Sequence, residues 1–193
     1  MRILIYTDYR TGSRSLGEWL EFETEIKYYH ELLNPKHKEY FNGIKLDMLQ
    51  ECIVKISTYD GWNYDNGKDF FDKRIVLTRE DSLAQAESVV WANTHNKWHN
   101  NLINNKWDIS YYEIDGDFLS KNNETIESAR KDIERRNTYL KSLNGCLHIT
   151  YEDLYLNNTD GEKIASYLGF TPKINIVNPQ NKLRGGRSEK RLI

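Results

Sequence analysis

Short apolar runs rich in β-branched residues alternate along the chain with longer segments whose apolar residues recur every three or four positions. Arg2–Tyr6 (RILIY), Cys52–Ser57 (CIVKIS), Arg74–Thr78 (RIVLT) and Leu147–Thr150 (LHIT) read as strands. Their apolar residues are nearly continuous, as expected of strands covered on both faces. The spacing of Leu16, Trp19 and Leu20 predicts a helix reaching toward Ile26. Leu83, Ala86, Val90 and Ala92–Trp98 predict a second, from Ser82 to about Asn104. Glu124–Leu143 is a charged amphipathic helix on Ile126, Ala129, Ile133, Tyr139 and Leu140. Asp160–Leu168 is a last helix, stopped by Gly169 just past its end. Tyr59–Lys68, Asn93–Lys106 and Asn157–Gly161, rich in Asn, Asp and Gly, read as loops. Strands alternating with helices predict an α/β fold, a parallel sheet with helices on both faces.

Composition narrows this frame. At 193 residues the chain is expected to be one domain, 1–193, with no proline- or serine-rich linker inside it. No run of about 18 apolar residues is present, so no membrane span is expected. Cys52 and Cys146 are too far apart for a CxxC metal site and too few for a disulfide framework. Met1-Arg2 leads directly into ILIY, without the pattern of a signal peptide, so the expected setting is the reducing cytoplasm. With 27 Lys+Arg against 29 Asp+Glu the net charge is −2, which argues against nucleic acid as a partner. Aromatic residues make up 12%, too many for a disordered chain.

Two segments carry the candidate chemistry. Thr7–Leu16 (TDYRTGSRSL) joins the first strand to the first helix. A strand–loop–helix junction of this kind is an anion cradle, because free N–H groups of the first helical turn and the helix dipole both favour negative charge. Gly12 permits close approach, Ser13 and Ser15 add hydroxyls, and Arg10 offers a fork of donors to a phosphate or sulfate. The loop is not GxxxxGK[ST], and no Lys stands where one reaches a β/γ-phosphate, which disfavours an NTPase. An ordinary capped helix start is the competing reading. The second segment, Arg79–Ser88 (REDSLAQAES), follows the strand RIVLT. It puts Arg79 at a strand's carboxyl end, where ligands of open α/β sheets bind, and Ser88 on the next helix. The competing readings are an ion pair of Arg79 with Glu80 or Asp81, and a helix-face hydroxyl for Ser88.

Taken in order, YRTGSRSL, Glu39-Tyr40-Phe41, TREDSLAQAES…W…KWH and ITYEDL…IASYLGF resemble the PAPS-dependent sulfotransferases, in pattern the bacterial trehalose sulfotransferase-like proteins. PAPS is 3′-phosphoadenosine-5′-phosphosulfate. The resemblance runs from Ile3 to Phe170. It implies a P-loop-like three-layer α/β fold with a central, mostly parallel sheet flanked by helices. It also implies transfer of the sulfuryl group of PAPS to a hydroxyl of a carbohydrate or glycolipid-like acceptor, with PAP as product and no metal. Carried over by residue, it puts Arg10, Thr11, Gly12, Ser13, Arg14 and Ser15 around the 5′-phosphosulfate, and Arg79 and Ser88 on the 3′-phosphate. Glu39 falls at the general base. Arg14 and Ser15 depart from the family's usual small hydroxyl and apolar residues. The basic segment 180–193 contains KLRGGR, so Arg184 and Gly185 are carried over as a cover for the cofactor. A homodimer is compatible with this family.

These residue types suit sulfuryl transfer, which needs positioning and charge stabilisation on the leaving and equatorial oxygens. Arg10 supplies such stabilisation, and Glu39 would take the acceptor hydroxyl's proton. His37 and His99 are rival bases. Lys55, inside an apolar strand, must reach either the carboxyl-end cleft or an acid, unless it is a snorkelling edge-strand Lys, the competing reading. Tyr40, Phe41, Trp91 and Trp98 could wall a sugar site, although core packing is the better reading of Trp91. Tyr151–Leu154 reads as a strand end and helix cap. Two other functions stay open: a non-catalytic PAP- or nucleotide-binding relative, and a P-loop-like kinase.

Overall fold

The computed structural model describes residues 1–32, 46–58, 62–95, 102–103, 106–107, 114–174 and 176. Its centre is an all-parallel sheet of five strands. These are β1 (Arg2–Thr7), β2 (Tyr28–His30), β3 (Cys52–Ser57), β4 (Lys73–Thr78) and β7 (Leu147–Thr150), in the order β2-β3-β1-β4-β7. Two short strands, β5 (Leu102–Ile103) and β6 (Lys106–Trp107), form a separate antiparallel pair. The helices are α1 (Ser13–Thr24), α2 (Tyr64–Gly67), α3 (Ser82–Thr94), α4 (Gly116–Lys141), α5 (Tyr151–Tyr155) and α6 (Asp160–Leu168). This is the three-layer α/β architecture, a parallel sheet flanked by helices, that the sequence predicts.

The layers follow from the pleat. Successive side chains of a strand point to opposite faces, so a strand buried on both needs apolar residues at every position. In β1, Ile3 and Ile5 join Ile53, Ile75, Leu77 and Ile149 in a core closed by Leu16 and Leu20 of α1 and by α5 and α6. Leu4 and Tyr6 face the other way, into a core with Val54, Ile56, Val76 and Leu140 of α4. A third cluster joins Ala86, Val89 and Val90 of α3 to Ile126 and Ile133 of α4. Helices α3 and α4 thus form one packed pair on the face opposite α1. Removing a fully buried side chain such as Ile5 would cost about 2–5 kcal/mol.

Boundaries depart from the sequence pattern where caps override it. Helix α4 begins at Gly116, well before Glu124, because the Asp115 carboxylate accepts the Phe118 N–H at 2.7 Å and Phe118 and Leu119 pack on the α3–α4 cluster. Helix α3 stops at Thr94 rather than near Asn104. The stretch Tyr59–Lys68, read as a loop, contains α2. Helix α6 ends as expected: Gly169 sits at φ 83° and its N–H reaches Ala165 O at 2.8 Å. Among the described residues no helix is long and apolar enough to cross a membrane.

Candidate functional site

All five strands run parallel, so their carboxyl ends share one edge of the sheet. Strand β1 lies in the middle, with its following helix on one face and that of β4 on the other. Connections leaving adjacent strands in opposite directions open a crevice at their carboxyl ends. The segments Asp8–Gly12 and Arg79–Asp81 leave β1 and β4 at this crevice.

The first loop is tightly built. Asp8 is wholly buried, and its carboxylate accepts the Tyr9 N–H at 2.8 Å, the Thr58 hydroxyl at 3.2 Å and Arg136 Nε at 3.0 Å. Burial pushes the Asp8 carboxyl above its ordinary value, and the Arg136 guanidinium works against that rise. Thr7 and Thr11 share a hydrogen bond of 2.6 Å between their hydroxyls, and Thr11 also donates to Asp8 O. The Thr11 hydroxyl therefore holds the loop from inside.

Gly12 is the N-cap of α1, at φ 79°, and no side chain caps the helix there. By contrast α3, α4 and α5 are capped by Asp81, Asp115 and Thr150. Tyr155 explains the glycine. Its hydroxyl donates to Gly12 O at 2.7 Å, and a Cβ on Gly12 would lie 2.6 Å from its ring. The first turn of α1, with Ser13 buried and Ser15 half-buried, is left to offer N–H groups to an anion.

Two guanidiniums flank this turn. Arg10, at φ 59°, donates from Nε to Ser88 Oγ at 2.8 Å. Arg79 lies over the Tyr151 ring, 4.7 Å from its centre, with only 12% of its side chain exposed. Among the described residues its nearest carboxylate, Glu152, is 4.0 Å away, and its one direct hydrogen bond, to Arg10 O, is 3.4 Å long. Arg79 Nε has no hydrogen-bond partner among the described residues. Glu152 instead accepts the N–H groups of Glu80 and Asp81 at 3.0 and 3.3 Å. Neither Glu80 nor Asp81 forms the ion pair with Arg79 that the sequence left open; the acid near it comes from α5.

The structure thus brings Arg10, Gly12, Ser13, Ser15, Arg79 and Ser88 to one crevice. It turns Arg14 elsewhere: Arg14 Nε pairs with Glu18 at 2.9 Å on the exposed side of α1. Glu39, Arg184 and Gly185 lie outside the described residues, as do His37, Tyr40, Phe41, Trp98 and His99. Lys55 meets an acid, forming a buried ion pair with Glu31. Trp91 is buried and stacks on His95. A cavity of about 270 Å³ beside β7 is lined by Thr78, Thr150, His148 and Lys163, among others, but by none of Arg10, Arg79 and Ser88.

Sequence reasoning did not single out Asp8, Gln85, Arg136, Asn137 or Tyr155 as site residues, nor Tyr151 as the ring under Arg79. The one signal available was the i, i+3 spacing of Gln85 and Ser88, which puts both on one helix face. No protein-family model matches the chain, and no curated protein matches it.

Proposed function

We propose that the protein is a sulfotransferase that takes the sulfuryl group of PAPS to a hydroxyl of a carbohydrate or glycolipid-like acceptor. The observation that carries this reading is Arg79, a largely buried guanidinium that among the described residues has one long hydrogen bond and no partner for its Nε. A buried charge is costly unless paired, so such a group is suited to a bound anion. Arg10 and the uncapped turn of α1 stand beside it, so the crevice suits more than one anionic group.

In this reading the turn Ser13–Ser15 and Arg10 hold the 5′-phosphosulfate, and Arg79 and Ser88 hold the 3′-phosphate. The acceptor oxygen attacks sulfur in line, and the bond between sulfur and the bridging phosphate oxygen breaks. PAP leaves with that electron pair, and Glu39 takes the acceptor proton. Preorganised donors stabilise the charge growing on the leaving oxygen, where loss of one typically costs about 3–4 kcal/mol of barrier.

The test is ligand-dependent melting followed by turnover. PAP should raise the melting temperature well above the shift given by MgATP, and PAPS should be consumed with a sugar acceptor. Equal or greater stabilisation by MgATP would overturn the reading in favour of a kinase. Tight PAP binding without turnover over a broad acceptor panel would favour a non-catalytic binder.

A further inference from the structure

Arg10 occupies the left-handed region at φ 59°, which a non-glycine residue keeps only when its surroundings over-determine it. Helix α3 supplies two of those constraints. Gln85 Nε2 donates to Tyr9 O at 2.6 Å, one residue before Arg10, and Ser88 Oγ accepts from the Arg10 side chain at 2.8 Å. Helix α4 does the same for the other loop, where Asn137 Nδ2 donates to Arg79 O at 3.0 Å. Because α3 and α4 pack on each other through Val89, Val90 and Ile133, the two loop carbonyls are tied to one rigid body. The direct contact between the loops, Arg79 Nη1 to Arg10 O, is long at 3.4 Å and is a weak tie by itself.

Stability alone does not select these amides. Gln85 is fully buried and Asn137 is 7% exposed, yet Gln85 Oε1 and Asn137 Oδ1 have no hydrogen-bond partner among the described residues. A buried carbonyl oxygen without a donor is destabilising, and an apolar side chain of similar size avoids that cost. What the amide adds is an N–H fixed against a loop carbonyl.

We propose that Gln85 and Asn137 are positioning residues: by holding the carbonyls of Tyr9 and Arg79 to the α3–α4 pair, they set the spacing of Arg10 and Arg79. The crevice then selects ligands with two anionic groups at a fixed separation over ligands with one. The proposal rests on the sulfotransferase reading and adds the means by which the bisphosphate is distinguished.

The test is calorimetric titration of PAP and of AMP, which lacks the 3′-phosphate, into the wild type, Gln85→Met and Asn137→Leu, with melting temperatures recorded alongside. The wild type should bind PAP at least about tenfold more tightly than AMP. Each variant should lower that ratio by about five- to tenfold while AMP affinity changes less, since small displacements of preorganised groups are costly. Melting temperatures should stay within a few degrees, as the lost N–H bond is offset by removal of the unpaired oxygen. The isosteric Asn137→Asp, which loses the donor and keeps the volume, is the second probe and should lose selectivity in the same way. If the wild type discriminates but the variants keep its full ratio, the positioning role is overturned and the cofactor reading stands. If the wild type itself does not prefer PAP, both fall together.

Discussion

Replacing Arg79 by Met separates a ligand-binding cation from a structural one. The side chain is 12% exposed, so its volume matters, and Met keeps most of it. In the free protein the guanidinium makes a cation–π contact with Tyr151, a 3.4 Å hydrogen bond and a 4.0 Å approach to Glu152. The first contributes about 0.5–2 kcal/mol, and the desolvation of a weakly paired charge offsets much of it. A net change near 1 kcal/mol moves the melting temperature of a protein this size by about 2–4 °C. With PAP bound, each charge-assisted hydrogen bond is worth about 1.5–3 kcal/mol. Losing about 3 kcal/mol weakens binding by roughly 100-fold. Arg14→Met is the matched comparison. Arg14 is half exposed and paired with Glu18 one turn along α1, a type of pair worth about 0.3–0.5 kcal/mol. Its effect on PAP affinity should stay below about threefold. Calorimetric titration at low and at high salt, with melting curves of the free proteins, reads all of these quantities. Arg79→Met binding PAP within threefold of wild type would refute the argument. So would an Arg14→Met defect larger than that of Arg79→Met.

Three further outcomes follow from named contacts. Gly12→Ala puts a methyl against the Tyr155 ring and forces a left-handed alanine, so it should destabilise by about 1–3 kcal/mol in urea unfolding and abolish the PAP shift. The Asp8 carboxyl titrates above its ordinary 3.8 because burial outweighs Arg136. Its contribution is fully present below that pH and is lost as pH rises through the raised value. The stability of Asp8→Asn relative to wild type should therefore increase from about pH 4 upward, and a flat difference would contradict the assignment. Burial pushes the Cys52 thiol up to about 11, whereas Cys146 is partly exposed beside Tyr64. Mass spectrometry after brief alkylation at neutral pH should find Cys146 modified and Cys52 intact until the chain unfolds.

The four longer strands of the sheet were legible because strands covered on both faces must be apolar throughout, and β1, β3, β4 and β7 fall where such runs occur. Strand β2 was not, since Tyr28–His30 has three residues, none of them buried, and no distinctive pattern. At the site, Arg10, Arg79 and Ser88 were legible from their positions at strand ends and on a helix face. The contacts that hold them were not, because they join residues far apart in sequence. Asp8 meets Arg136, Tyr9 meets Gln85, and Gly12 meets Tyr155 only after the crossovers bring α3, α4 and α5 to the carboxyl edge of the sheet. Arg14 illustrates the converse: it is adjacent to the cradle in sequence, but helix geometry places it beside Glu18.

The central position of β1 also sets a timetable for synthesis. Its two neighbours are β3 and β4, with Arg2 opposite Cys52 and Ile3 opposite Lys73, so the first of the five strands in sequence must wait for two later segments before both its edges are paired. At about 5–20 residues per second, the wait between β1 and the end of β4 is several seconds. Ile3, Leu4 and Ile5 have no sheet neighbour until β3 is made and only one until β4 follows, and parallel pairing between distant segments is slow in any case. Slowing elongation between residues 58 and 72 should lower the yield of folded protein more than slowing it after β4.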